Sequence, residues 1–179
     1  QATTLDNLGV AYWSLRSYGP AIQSMQESLQ LVRKMNDRRG MVFCLNNLGD
    51  LCRETGAYAQ AQEYLSEGLA LADEIGFPYA VGAFQHGLGR LFLEQGKPDQ
   101  ADRCFAQALA IGREKGNLAL SGNGLCGKGL VHLRQEQFDQ AADCLEQAIQ
   151  AHAEAGEADY TILDRALLAL CCLRQGDLA

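Results

Sequence analysis

The chain repeats itself every 40 residues without a gap. Aligned rows begin at Gln1, Met41, Val81 and Ser121, with a partial fifth at Thr161. One column then holds Gly9, Gly49, Gly89 and Gly129, with Ala169 in the fifth row. A second holds Ala21, Ala61, Ala101 and Ala141, and a third holds Met25, Leu65, Phe105 and Leu145. Leu29, Leu69, Leu109 and Ile149 form a fourth, and Asn36, Gly76, Gly116 and Gly156 a fifth. A fixed period of this size marks a solenoid, in which no repeat buries its apolar face alone. The core of such a chain is a strip shared between neighbours rather than a central ball.

Each row reads as two helices. In the second, Phe43, Cys44, Leu48, Leu51 and Cys52 recur three and four apart up to about Glu54, which is a helical period. Gly56 and Ala57 interrupt it, and Tyr58, Ala61, Tyr64, Leu65 and Leu69 resume it. Gly76 is placed to close the second helix in a left-handed turn. The third row repeats the pattern with Gly96, Pro98 and Gly116. Mid-helix glycine costs roughly 1 kcal/mol against alanine. Its recurrence opposite an alanine column predicts close helix pairs, with the Met25 column filling the space beside them.

Composition narrows the class. Apolar content of 47% suits a folded chain, and no apolar run approaches the roughly 18 residues of a membrane span. No charged start followed by an apolar run opens the chain, so no secretory leader is expected. Because the first residue is Gln and the fifth row is partial, 1–179 reads as one repeat domain cut from a longer protein (repeats 1–40, 41–80, 81–120, 121–160 and partial 161–179). A net charge of −7 argues against a phosphate-backbone binder, which needs clustered Lys and Arg. The second and fourth rows are strongly acidic, the first and third slightly basic. There are seven cysteines, with no CxxC pair. Most fall in apolar columns, which predicts reduced core thiols and a cytoplasmic protein.

With Leu8-Gly9-x-x-Tyr12, Ala21 and Met25, the first row resembles the tetratricopeptide repeat. Leu48-Gly49 with Tyr58, Ala61 and Leu65, and Leu88-Gly89-x-x-Phe92 with Ala101, Phe105 and Ala108, carry the same resemblance. The fourth row departs from it, with Lys128 where leucine is usual. The common repeat has 34 residues. The longer form here, with Asn-Asn-Leu-Gly at 46–49, is similar to repeats of kinesin light chains, polarity adaptors and bacterial signalling regulators. The resemblance implies an all-α, right-handed superhelix of four helix pairs plus one terminal helix. It also implies a concave groove, lined by first helices, that takes an extended peptide or a partner helix. Carried over by column, the groove residues are Asn7, Asn46, Asn47, Asp50, Arg53, His86, Arg90 and Asn123. Asn7 and Asn47 match asparagines that hydrogen-bond a peptide backbone in similar proteins, a role that suits an amide's donor and acceptor. The lysine-rich carboxylate clamp of chaperone-tail binders is missing, since Asp6 stands where a cation would be needed.

Catalysis and metal binding find little support. Asn46, His86 and Cys126 share a column and have the chemistry of a nucleophile, base and orienter. Equivalent positions in stacked helices lie about 10 Å apart, however, too far for those side chains to work together. His86, His132 and His152 lie in different columns, and no metal-ligand spacing joins them. His132 sits in the aromatic column and is expected to be packed. No cofactor is expected. Asp50 with Arg90, and Glu94 with Arg134, share columns in adjacent rows and suggest ion pairs. Arg53 has no acidic column-mate in the next row and is expected to be available to a ligand.

The expected function is non-catalytic binding of a protein or peptide in the concave groove, as a scaffold or sensor module of a signalling or regulatory protein. One alternative is a small-ligand or peptide-pheromone sensor that controls an attached effector. Another is architectural self-assembly. The apolar fifth-row helix, with Leu163, Leu167, Leu168, Leu170, Cys171, Cys172 and Leu173, suggests self-association at that end. Neither nucleic acid nor membrane is an expected partner.

Overall fold

The structure is a computed structural model, and it describes residues 1–176. The last positions of the fifth row, 177–179, lie outside the described residues. Nine α-helices follow one another among the described residues, with no strand. They are α1 (Ala2–Ser14), α2 (Tyr18–Lys34), α3 (Arg38–Glu54), α4 (Tyr58–Glu74), α5 (Pro78–Glu94), α6 (Pro98–Glu114), α7 (Leu118–Arg134), α8 (Phe138–Ala155) and α9 (Ala158–Gln175). The fold is an all-α helical repeat solenoid, and each complete row is one helix pair. First helices begin earlier than the apolar period suggests. In α3, for example, the Asp37 side chain accepts from the Gly40 N–H and starts the helix at Arg38, a standard N-cap.

The turns keep time even more strictly than the side chains. Residues 16, 36, 56, 76, 96, 116, 136, 156 and 176 all have positive φ, one every 20 residues. Six of them are glycine, which adopts this conformation freely. Arg16, Asn36 and Glu136 hold it at 55°, 52° and 57°. A left-handed L-residue costs roughly 1–2 kcal/mol, and glycine's extra chain entropy offsets part of the gain from replacing it. Glu136→Gly is therefore expected to raise unfolding stability by up to about 1 kcal/mol. A thermal melt that moves down instead would show that Glu136 makes an interaction outweighing its strain.

The helices divide into two compact units, Gln1–Gly87 and Leu88 onward, with α5 contributing to both. In the first unit Ala21, Met25, Leu45, Leu48, Leu51, Ala61, Leu65 and Phe84 are sealed from solvent. Gly9 and Gly49 face the large residues of the next helix. A Cβ at Gly9 would lie 2.5 Å from Met25 Cγ, and one at Gly49 would lie 2.6 Å from Leu65 Cδ2. In the second unit Phe105, Leu145, Val131 and Ala148 are sealed, and Gly89 and Gly129 face Phe105 and Leu145 in the same way. The glycine column is therefore a close-packing column. All seven cysteines are free thiols, and burial raises the pKa of Cys44, Cys52 and Cys126 above the ordinary thiol value.

The terminal helix α9 is two-faced. Leu167 and Leu168 pack against the cluster of Leu109, Leu125, Cys126, Leu145 and Ala148. Cys171 is fully buried, and its thiol donates to the Phe138 carbonyl at 3.0 Å. Ile162, Leu163, Leu170 and Leu173 remain exposed. Part of the apolar set that the sequence offered for self-association is thus spent on the chain's own core.

Candidate functional site

The first unit carries two cavities beside its first helices. The larger, about 450 Å³, lies among α1, α2 and α3 and includes Thr3, Asp6, Asp37, Gly40, Phe43 and Cys44 in its lining. Its floor is polar. Asn47 Nδ2 donates to Asp6 Oδ2 at 3.0 Å, while Asp6 Oδ1 is buried with no hydrogen-bond partner. Ser28 donates to the Ala2 carbonyl at 2.8 Å and sits 3.4 Å from the Cys44 sulfur. Desolvation of Cys44, with the nearby charges of Asp6 and Asp37 adding to it, keeps that thiol protonated. The smaller cavity, about 180 Å³, lies between α3 and the start of α5. Phe43, Phe77, Tyr79, Ala80, Ala83 and Phe84 make it apolar, and Asn46 supplies a polar edge. Phe43 meets Phe77 edge-on at 6.2 Å, and the Arg39 guanidinium lies 5.6 Å above the Phe77 ring.

A third cluster fixes the far end of this face. Trp13 Nε1 donates to Glu54 Oε2 at 2.7 Å, and the Tyr18 hydroxyl donates to Glu54 Oε1 at 2.9 Å. The indole bond, more than any other influence, holds the Glu54 carboxyl below its ordinary pKa. A lowered folded-state pKa means the link is complete above the unfolded glutamate value, roughly 4.3, and is lost as pH falls through the lower folded value. Trp13 is the chain's single tryptophan. Its emission is therefore expected to stay constant from neutral pH down to about 5 and to change only below the usual glutamate range. Glu54→Gln should remove that transition, and a transition that persists in the variant would assign it to another group.

The residues expected from the sequence fall into different settings. Asn7 is exposed on α1, Asn46 is half-buried at the apolar cavity, and Asn47 is half-buried and tied to Asp6. Asp50 and His86 are half-buried. In the second unit Arg90 is exposed and Asn123 half-buried. Arg53 departs from expectation. It is only 6% exposed, and its Nε donates to Asp50 Oδ1 at 3.3 Å within the same helix. The expected availability of Arg53 is therefore corrected, because comparing columns between rows overlooked the partner three residues earlier. His132 is half-buried, with Nδ1 2.7 Å from Gln137 Oε1.

The fully buried histidine is instead His152. Its Nδ1 lies 2.6 Å from Asp164 Oδ2, both side chains are essentially inaccessible, and Tyr160 packs on the ring at 5.3 Å. Gly122 makes room for it, since a Cβ there would stand 2.4 Å from the ring's Cδ2. His152 Nε2 and Asp164 Oδ1 have no hydrogen-bond partner. Cys126 lies beside Asp164, and burial first, then that carboxylate, push its thiol pKa far up. Both side chains are sealed from solvent, and the cluster joins α7, α8 and α9. Among the described residues no group of three or more His, Cys, Asp or Glu could hold a metal ion.

Tetratricopeptide repeat profiles match residues 1–74, 42–114 and 126–179. The chain belongs to the tetratricopeptide repeat family. Tetratricopeptide repeats form a non-catalytic protein-interaction fold, and this chain has the repeats of a protein-interaction scaffold. Among solved structures, it superposes on the apo form of RapI with a TM-score of 0.76 at 12% identity, covering 94% of this chain and 47% of that one. A Rap protein complexed with Competence and Sporulation Factor gives 0.83 at 17% identity, covering 97% and 53%. TPR-like repeats assigned to a kinesin light chain of Podosopora anserina give 0.73 at 17%, covering 98% and 87%. The chain thus spans about half the length of the Rap proteins it resembles. No curated protein matches it. No described helix is long and apolar enough to cross a membrane.

Proposed function

We propose that the chain binds a peptide or extended protein segment along its first-helix face, as the recognition part of a cytoplasmic signalling or regulatory protein, without catalysing a reaction. The observation that carries this reading is the first unit's face. There, half-buried amides at Asn46 and Asn47 stand beside two cavities, and Asp50 continues the polar row. Asn47 uses one amide hydrogen on Asp6, which leaves a donor and an acceptor of the kind a peptide group needs. A Rap protein of the same fold has been seen with Competence and Sporulation Factor, and that precedent supports a bound signalling factor here. Asn7 and His86 belong to the proposed surface of the first unit as flanking polar positions, and Arg90 and Asn123 are proposed as separate polar positions on the first helices of the second unit. Arg53 belongs to the first-unit surface only through its hold on Asp50.

The test is partner capture from the source cell with three forms of the protein. Asn46→Ala with Asn47→Ala alters the first-helix face. Gln23→Ala with Glu27→Ala alters an exposed stretch of α2. Loss of a partner with the first pair alone is the expected result. Loss with the second pair alone would move the site to the second helices and overturn the reading.

A further inference from the structure

The two cavities of the first unit are the same cavity in successive repeats. Moving Thr3, Asp6, Asp37, Gly40, Phe43 and Cys44 forward by 40 gives Phe43, Asn46, Phe77, Ala80, Ala83 and Phe84, all of which line the second cavity. The backbone frame is repeated, and the chemistry is not. Asp6 becomes Asn46, Asp37 becomes Phe77 and Cys44 becomes Phe84. A cavity with two carboxylates is thereby followed by one with an aromatic lining. Phe43, 56% exposed, is the wall common to both.

We infer that these paired cavities read two side chains of one bound segment, a lysine or arginine in the Asp6/Asp37 cavity and a large apolar or aromatic residue in the Phe77/Phe84 cavity. This rests on the first-helix face being the binding surface, and it specifies what that surface selects. Charge complementarity points to the first occupant. Asp6 Oδ1 meets no donor stronger than the neighbouring Cys44 thiol, Asp37, whose Oδ1 caps α3, stands at the same cavity, and the chain as a whole carries −7. A buried carboxylate oxygen without a strong donor is costly, and a cationic N–H is the donor it binds most strongly. The second occupant follows from the lining. A lining of Val42, Phe43, Phe77 and Phe84, with polar atoms only on Asn46 and the Tyr79 hydroxyl, suits an apolar group. Spacing follows from the repeat. Packed helices lie on the order of 10 Å apart and an extended chain advances about 3.3 Å per residue. The two side chains should therefore sit about three positions apart.

The experiment selects random displayed peptides on the purified chain, then titrates the synthetic consensus by fluorescence polarisation. Enriched sequences are expected to pair Lys or Arg with Phe, Tyr, Leu or Met about three residues away. Asp6→Asn keeps the acceptor for Asn47 and should weaken the basic peptide at least roughly tenfold, with no effect on a peptide whose cation is replaced by Gln. Ala83→Leu should fill the second cavity and weaken the apolar-bearing peptide. Phe43→Ala, an exposed position, gives a second reading if Ala83→Leu disturbs folding by circular dichroism. Selected peptides that lack the pair, yet lose binding in the Asn46→Ala/Asn47→Ala protein, would overturn the cavity assignment and leave the binding face standing. Selected peptides indifferent to every first-helix substitution, or no selected peptide at all, would overturn both.

Discussion

Asp164→Ala is expected to release α9 from α8. Asp164 is fully buried, and its Oδ2 accepts from His152 Nδ1 at 2.6 Å, while Nε2 has no partner among the described residues. Removing it leaves a buried imidazole with both nitrogens unpartnered and a cavity where the carboxylate stood. Leaving a buried donor or acceptor unsatisfied costs about 1–3 kcal/mol, and the cavity adds to that. That is a large share of the stability of any small domain. Because the pair bridges the two helices, the loss should be local, and α9 amides should lose protection from hydrogen exchange before those of α7. A second substitution tests the cause. His152 shares its column with Val32, Ala72 and Gly112, and Asp164 shares its column with Cys44, Phe84 and Gly124. His152→Ala with Asp164→Phe reproduces the Ala72/Phe84 combination. Apolar replacements of buried pairs are often neutral, so the double variant should recover most of what the single one loses. Equal exchange protection of α9 in the wild type and Asp164→Ala would sink the assignment.

That same pair shows what the 40-residue register discloses and what it conceals. Helix pairing, the turn positions and the glycine column were legible because each is enforced in every row. The Gly9 column must stay small where the Met25 column arrives, whatever the repeat does. Site chemistry is legible only where a row breaks its column. His152 and Asp164 each break an apolar or small column 12 residues apart, a signal visible only if the two columns are compared together. Phe77 is another break. Asp37 and Asn117 occupy its column as helix caps, and an aromatic there exchanges a cap for the wall of the apolar cavity. The Arg53 expectation failed for the opposite reason. Its partner, Asp50, lies in its own row, one helical turn away, and between-row comparison cannot see it. The Asp6–Asn47 bond crosses rows and columns at once, and the repeat pattern does not encode it.

Gly89→Leu is expected to destabilise the second unit by about 2 kcal/mol or more, even after the helix-propensity gain of roughly 1 kcal/mol. Phe105 is fully buried, and glycines bracket its ring. A Cβ at Gly89 would lie 2.6 Å from Phe105 Cε1, and one at Gly127 would lie 2.3 Å from Cδ1. Leu93, Ala101 and Val131 share its core cluster, with Phe92 and Leu130 packed against it. The ring is buried and crowded from two sides, so overpacking should fall near the upper end of its usual range, about 3 kcal/mol. Gly19 is the control. Nothing stands within 4 Å of a Cβ there, and Gly19→Ala should raise stability slightly. The decisive comparison uses the column itself. Leu65 and Leu145 occupy the Phe105 position in the neighbouring rows, so Phe105→Leu is a shape the repeat already accommodates. Gly89→Ala should lower the melting temperature in the native background and lower it less in the Phe105→Leu background. Coupling of this sign arises only if the two side chains compete for one volume. Equal shifts in both backgrounds would mean that Gly89 and Phe105 act independently, and that the glycine column owes its recurrence to something other than the close approach of paired helices.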